Sequence, residues 1–131
     1  MIVVADTSPL NYLVLIDEVN LLPALFGRVL IPLAVAQELK HPRTPPKVQL
    51  WLERLPEWLE VRSVVSSTNH ALMGLGPGER EAIQLALELD ISTVLMDETE
   101  GRRAAEDAKL EVRGTLGILE RAAKLGKTAP R

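Results

Sequence analysis

Residues 2–6 read Ile-Val-Val-Ala-Asp, and residues 93–97 read Thr-Val-Leu-Met-Asp. Each stretch is a short apolar run, typical of a buried strand, that ends in an aspartate just before a segment with helical character. In an open parallel sheet, ligands bind beyond the carboxyl ends of the strands, near a topological switch point. The two strand-tip aspartates, Asp6 and Asp97, therefore predict one acidic site at that edge of a sheet.

Apolar strands alternate with helical segments along the whole sequence. We predict strands at 2–5, 29–31, 59–65, 92–96 and 111–113, and helices at about 8–17, 18–26, 32–39, 47–54, 79–89, 100–109 and 115–125. Ser8 and Thr115 are candidate N-caps in this pattern. The alternation predicts an α/β fold, a three-layer α/β/α sandwich with a mostly parallel central sheet. Residues 1–131 are predicted to form a single domain.

The composition excludes several kinds of site. With no cysteine, the chain cannot form a disulfide, a thiolate zinc site, an Fe–S cluster or a cysteine nucleophile. Only two histidines are present, so the remaining metal ligands are oxygens, which suit Mg²⁺ or Mn²⁺. The net charge of −3 does not by itself predict nucleic-acid binding. Without a signal peptide or a long apolar segment, the expected location is the cytoplasm.

Glu79 lies on a helix face that is otherwise apolar. The predicted helix at 79–89 has a stripe formed by Ala82, Ile83, Ala86 and Leu87. Glu79 shares this face, whereas Glu81, Gln84 and Glu88 are predicted to point away from it. Glu79 is therefore a candidate member of the acidic site. The alternative is a glutamate that only complements the helix dipole at the N-terminus.

Glu38 occupies a similar position near the end of the predicted helix at 32–39. It follows Ala34 and Val35 at helical spacing, while Gln37 and Lys40 can point outward. An ion pair with a nearby lysine or arginine is the alternative explanation.

If the four carboxylates of Asp6, Glu38, Glu79 and Asp97 meet in one cleft, they repel one another, and a divalent cation relieves that repulsion. Such a site can support metal-assisted hydrolysis of a phosphodiester.

Five segments of the sequence resemble the motifs of the PIN-domain nucleases, and especially the compact type that includes the VapC-like toxins. They are residues 6–10 (Asp-Thr-Ser-Pro-Leu), 32–39 (Pro-Leu-Ala-Val-Ala-Gln-Glu-Leu), 78–83 (Gly-Glu-Arg-Glu-Ala-Ile), 95–98 (Leu-Met-Asp-Glu) followed by Arg102, and 112–117 (Val-Arg-Gly-Thr-Leu-Gly). The order and spacing of these segments cover nearly the whole chain. The resemblance implies a PIN-like fold.

The resemblance also implies Mg²⁺- or Mn²⁺-dependent cleavage of single-stranded RNA, as in the toxin half of a toxin–antitoxin pair. It implies a catalytic and metal-binding set of Asp6, Glu38, Glu79 and Asp97. Possible accessory residues are Thr7, Ser8, Glu98, Arg102 and Thr115. Many members of the family have a second aspartate where this chain has Glu98.

The expected partners are the RNA substrate, a cognate antitoxin protein and a second copy of the chain. Dimerisation follows from the resemblance and from the aliphatic residues Leu21, Leu22 and Leu25, which exceed what a short helix needs for one contact.

Other functions remain as alternatives. A non-catalytic PIN-like module that binds RNA or protein would have the same fold. A phosphotransfer receiver is disfavoured because the apolar strand near 59–65 has no aspartate, and because the last strand–helix junction has no lysine. A haloacid-dehalogenase-like phosphatase would need an aspartate at the position of Ser8.

Overall fold

The computed structural model describes residues 1–65 and 70–127. In these ranges the strands are β1 (Ile2–Ala5), β2 (Arg28–Pro32), β3 (Leu59–Arg62), β4 (Thr93–Leu95) and β5 (Glu111–Arg113). The helices are α1 (Thr7–Leu15), α2 (Leu21–Phe26), α3 (Leu33–Leu39), α4 (Pro46–Leu52), α5 (Pro77–Glu88), α6 (Thr99–Asp107) and α7 (Thr115–Lys124), with a 3₁₀ turn at His70–Leu72. No helix in the described ranges is long and apolar enough to cross a membrane.

The strands form one sheet in the order β3-β2-β1-β4-β5, and every neighbouring pair is parallel. The chain moves outward from β1 to β2 and β3, and then returns to the other side of β1 for β4. The topological switch point therefore lies between β1 and β4, where Val4 pairs with Val94 and Ala5 with Leu95. Asp6 and Asp97 follow these two strands, as the sequence predicts.

Each face of the sheet carries its own apolar cluster. Alternate strand residues, such as Val3 and Ala5, pack on one face with residues of α1, α2, α3, α4 and α7. The intervening residues, such as Val4 and Met96, pack on the other face with α5 and α6. This alternation follows the two-residue period of a strand. The predicted three-layer α/β/α sandwich is confirmed, and the sheet is entirely parallel.

The start of α1 differs from the prediction. The helix begins at Thr7, so Asp6 rather than Ser8 is its N-cap residue, with an extended backbone at φ −84° and ψ 175°. The Asp6 side chain makes no capping hydrogen bond. Similarly, Thr115 is the first residue of α7, and Gly114 is the N-cap. The predicted N-cap roles of Ser8 and Thr115 are therefore wrong.

The buried face of α5 is wider than the predicted stripe. Ala82, Ile83 and Ala86 are fully buried, but Leu87 is 42% exposed. Gln84, expected on the outer face, is buried, as is Leu85. The reason is that α5 packs against both the sheet and α3, so it buries two sides.

The leucines near α2 are used by the protomer itself. Leu21 and Leu22 are buried, and Leu25 packs against the core on the α1 face of the sheet. They provide no surplus apolar surface, so this part of the argument for a dimer is wrong. Dimerisation stays a prediction from the family resemblance.

The two sides of α5 generate a stability prediction. Ile83→Ala should lower the free energy of unfolding by about 2–5 kcal/mol, because it leaves a cavity in a fully buried position. Leu87→Ala on the same helix should cost less than about 1 kcal/mol, since this side chain is already half in solvent. Urea denaturation of both variants measures the difference. Equal losses would contradict the observed packing of α5.

Candidate functional site

Asp6 is the buried centre of the candidate site. Its residue surface is only 3% exposed, and its backbone N–H donates to the carbonyl of Leu95 (2.9 Å), which joins the end of β1 to β4. Burial raises the pKa of the Asp6 carboxyl to about 7; the Thr7 backbone N–H opposes this, and the negative charges of Glu79, Glu38 and Glu98 add to it. Among the described residues, no positive charge lowers the pKa of this carboxyl.

Glu38 is held beside Asp6 by two donors. Its Oε2 accepts a hydrogen bond from Thr7 Oγ1 (2.7 Å), and its Oε1 accepts one from the backbone N–H of Gly78 (3.1 Å). One donor belongs to the start of α1 and the other to the first turn of α5. The carboxylate of α3 is therefore fixed at the point where three helices meet.

Gly78 allows these groups to approach closely. A Cβ atom at this position would lie 2.6 Å from Oε1 of Glu38 and 3.1 Å from Oδ1 of Asp6. The two carboxylate oxygens are thus neighbours on the same side of α5. A side chain at position 78 would displace at least one of them.

Glu79 follows in the first turn of α5, and its buried Oε2 has no hydrogen-bond partner within residues 1–65 and 70–127. Burial raises the pKa of Glu79; a backbone hydrogen bond at Gly76 opposes this, and the charges of Glu98, Glu100 and Glu38 add to it. A Cβ on Gly101 of α6 would collide with this carboxylate. A buried acceptor without a donor is costly, and a bound cation would remove that cost.

Asp97 lies at the same edge of the sheet but is bound differently. Its Oδ1 accepts the backbone N–H of Thr115 (2.7 Å), and its Oδ2 accepts the Thr115 hydroxyl (2.6 Å). This pair of hydrogen bonds ties the segment after β4 to the first residue of α7. The next residue, Glu98, raises the pKa of both Asp6 and Glu79.

The remaining predicted accessory residues, Thr7, Ser8 and Arg102, lie on α1 and α6. Thr7 contacts Glu38 as described, and Ser8 is partly buried in the first turn of α1. Arg102 donates from Nη1 to the carbonyl of Met96 (3.1 Å), which places its guanidinium beside the end of β4.

Sequence reasoning missed Glu81. Its Oε1 accepts the backbone N–H of Ala34 (3.1 Å), so it satisfies a donor in the first turn of α3. The available signal was Pro32, the N-cap residue of α3, whose side chain cannot accept a hydrogen bond. A carboxylate from another helix supplies the missing acceptor.

The ligand atoms at this site are of the chemical type that a hard divalent cation prefers. They are carboxylate oxygens, the buried Oε2 of Glu79 has no hydrogen-bond partner among the described residues, and burial raises the pKa of Asp6, with the charges of Glu79, Glu38 and Glu98 adding to it. Within residues 1–65 and 70–127, no three histidine, aspartate or glutamate side chains are already arranged as a metal site. An ion would therefore have to draw these carboxylates together.

Comparison with known proteins identifies the family. No curated protein matches the sequence. A solved structure of a PilT N-terminus domain protein, SSO1118 from the hyperthermophilic archaeon Sulfolobus solfataricus P2, is similar in fold, with a TM-score of 0.67 and 16% identity over 100% of this chain and 99% of that chain. The family described as DUF3368: PIN domain matches residues 2–130. PIN domains are typically nucleases and generally use divalent metals. The chain therefore belongs to the PIN-domain family.

Proposed function

We propose that this protein is a divalent-metal-dependent endoribonuclease that cleaves single-stranded RNA. The observation that supports it most directly is the group of carboxylates at the switch point. Asp6 is buried among like charges, Glu38 is fixed next to it, and Glu79 has a buried oxygen without a partner. Glu38 also links three helices through its hydrogen bonds, but a buried aspartate whose pKa is raised is typical of a functional site.

In this proposal Asp6, Glu38 and Glu79 would hold Mg²⁺ or Mn²⁺. When bound, the cation supplies a more acidic water and neutralises negative charge on the phosphate. Thr7 and Gly78 orient the Glu38 carboxylate through their hydrogen bonds. Asp97 is the fourth acidic residue of the proposed site, and its carboxylate fixes Thr115 at the start of α7.

The chain's other nucleophiles and bases are poorly suited to the reaction. There is no cysteine. The Nδ1 atom of His41 accepts the backbone N–H of Arg43 (3.0 Å) within its own loop. A water molecule oriented by the carboxylates is therefore the proposed nucleophile, and the site is open on the side of the exposed Glu38.

The biological setting is proposed from the family resemblance. By that resemblance the protein would be a VapC-like toxin, inhibited by a cognate antitoxin, dimeric and cytoplasmic. A non-catalytic PIN-like module remains the alternative to an enzyme, and the cleavage experiment separates the two.

We expect cleavage of single-stranded RNA in Mn²⁺ or Mg²⁺ and none in EDTA. Asp6→Asn should reduce the rate at least about 100-fold, because removing a ligand weakens the stabilisation of developing charge. Asp107→Asn, an exposed position at the end of α6, is the matched control and should retain activity. Denaturing gel electrophoresis of the RNA products measures this. An active Asp6→Asn variant would contradict the assignment.

The raised pKa of Asp6 predicts that the stability of the metal-free protein in EDTA depends on pH. The folded-state pKa of about 7 lies above the ordinary value of 3.8, so the stability from this group is present at low pH and is lost as pH rises through about 7. Asp6→Asn should therefore raise Tm relative to wild type, and by more at about pH 8 than at about pH 5. Thermal denaturation measures this difference.

Added Mn²⁺ should raise the Tm of the wild type and leave that of Asp6→Asn nearly unchanged, because only the wild type retains the full ligand set. A lower Tm for Asp6→Asn at every pH would mean that Asp6 has a structural role.

Asp97→Asn should have the opposite effect on the metal-free protein. The amide keeps one acceptor for Thr115 and replaces the other with an NH₂ group, so the charge-assisted pair is weakened. We expect a loss of about 1–3 kcal/mol in the free energy of unfolding, measured by urea denaturation in EDTA. Unchanged stability would show that the contact with Thr115 does not anchor α7.

A further inference from the structure

Tyr12 is the only strongly exposed aromatic side chain of this chain. The sequence contains one tyrosine, one phenylalanine and two tryptophans, all within the described ranges. Phe26 is buried, and Trp51 and Trp58 are partly buried and pack on each other with ring centroids 6.2 Å apart. Tyr12 is 52% exposed on α1.

Tyr12 borders a cavity that reaches the candidate site. The cavity has a volume of about 270 Å³ and lies between α1 and α7. Leu116 and Leu119 form its apolar wall, while Asp97 and Thr115 lie at its inner end. Leu116 is 69% exposed, so this wall faces solvent. A flat apolar ligand could therefore rest on Tyr12 while remaining next to Asp97.

A second cavity adjoins the first and shares Asp97 and Leu116 with it. Its volume is about 430 Å³, and Arg102, Gly114 and Gly117 line it. A Cβ atom on Gly114 would lie 2.6 Å from Nη1 of Arg102, so the guanidinium closely borders this space. The second arginine there is already paired, because Arg113 Nη2 donates to Glu111 Oε1 (2.6 Å).

We propose that the two cavities form a subsite for one nucleotide of single-stranded RNA. The nucleobase stacks on the Tyr12 ring beside Leu116, and the attached phosphate lies toward Arg102. The RNA identity of the ligand rests on the proposed function. An unpaired base has a free face for stacking, and proteins that bind single strands combine aromatic side chains that stack on bases with cations near the backbone.

The same face could instead contact protein, either a partner or a second copy. Two observations favour RNA. The apolar wall is small, and Asp97 of the candidate site lines the same cavity, as does Thr115. The adjoining cavity offers a guanidinium at the end of β4, which matches a phosphate next to a stacked base.

The test measures binding of a short labelled single-stranded RNA by fluorescence anisotropy in EDTA, where proposed cleavage cannot occur. Tyr12→Ala should raise Kd about ten-fold, and Tyr12→Phe should restore affinity close to that of the wild type, because the ring alone provides stacking. Leu50→Ala, a side chain 67% exposed on α4, is the control and should bind like the wild type.

Arg102→Gln should instead change how strongly RNA affinity depends on salt concentration. The slope of log K against log salt should fall by about 0.7 for one lost phosphate contact on a single strand. Tyr12→Ala should leave that slope unchanged, since stacking releases no counterions. Arg121→Gln in the last turn of α7 is the matched control for the loss of one surface cation.

Several results would overturn the subsite. One is a wild type that does not bind the RNA. Another is a Tyr12→Ala variant whose Kd for the RNA is unchanged. A third is a Tyr12→Ala variant whose RNA affinity is unchanged while its oligomeric mass in light scattering differs from that of the wild type. The last would identify a protein contact. A wild type that cleaves RNA in Mn²⁺ with no effect of Tyr12→Ala on binding leaves the proposed function intact. Binding through Tyr12 without cleavage supports the subsite and contradicts catalysis.

Discussion

The burial of one carboxylate between two parallel strands is the constraint on which the site depends. Asp6 follows β1, the central strand, and its backbone N–H bonds to Leu95 at the end of β4. The backbone hydrogen bond places Asp6 at the junction of the two strands, where the residue is only 3% exposed. The next residue, Thr7, starts α1 and holds Glu38, and Gly78 lets the first turn of α5 lie against the carboxylates of Glu38 and Asp6. One buried charge thus determines how three helices meet.

Such an arrangement reduces the stability of the metal-free protein, and the apolar core must offset the loss. The core is divided between the two faces of the sheet, and the fully buried residues of α5 pack directly behind the acidic edge. Glycine at positions 78 and 101 lets carboxylates approach the backbone more closely than any other residue would. Stability given up at one edge of a well-packed sheet is typical of a functional site. Binding of a cation there would couple occupancy of the site to stability of the whole fold.

Much of the fold followed from sequence because strands and helices bury side chains with different periods. The apolar runs ending at Asp6 and Asp97 predicted both the parallel sheet and the edge where the acids lie. The errors arose where tertiary contacts decided the outcome. Ser8 has the chemistry of an N-cap, yet the N-cap residue of α1 is Asp6, two residues earlier, because Asp6 continues directly from β1. Gln84 is buried and Leu87 is exposed, the reverse of the prediction, because α5 packs against α3 as well as the sheet. The bond from Ala34 to Glu81 joins residues far apart in sequence, and local spacing could not indicate it.

The two strand-tip aspartates have unequal surroundings, and the difference has a structural consequence. Asp6 is surrounded by like charges, whereas both oxygens of Asp97 accept hydrogen bonds from Thr115. Asp97 therefore fixes the first residue of α7, and the next residue, Leu116, forms a wall of both cavities beside the site. The orientation of that wall relative to the acids is thus set by a pair of hydrogen bonds and not by a flexible loop. Because α7 also packs Ile118 into the core beneath α1, the wall and Tyr12 are held by the same apolar cluster.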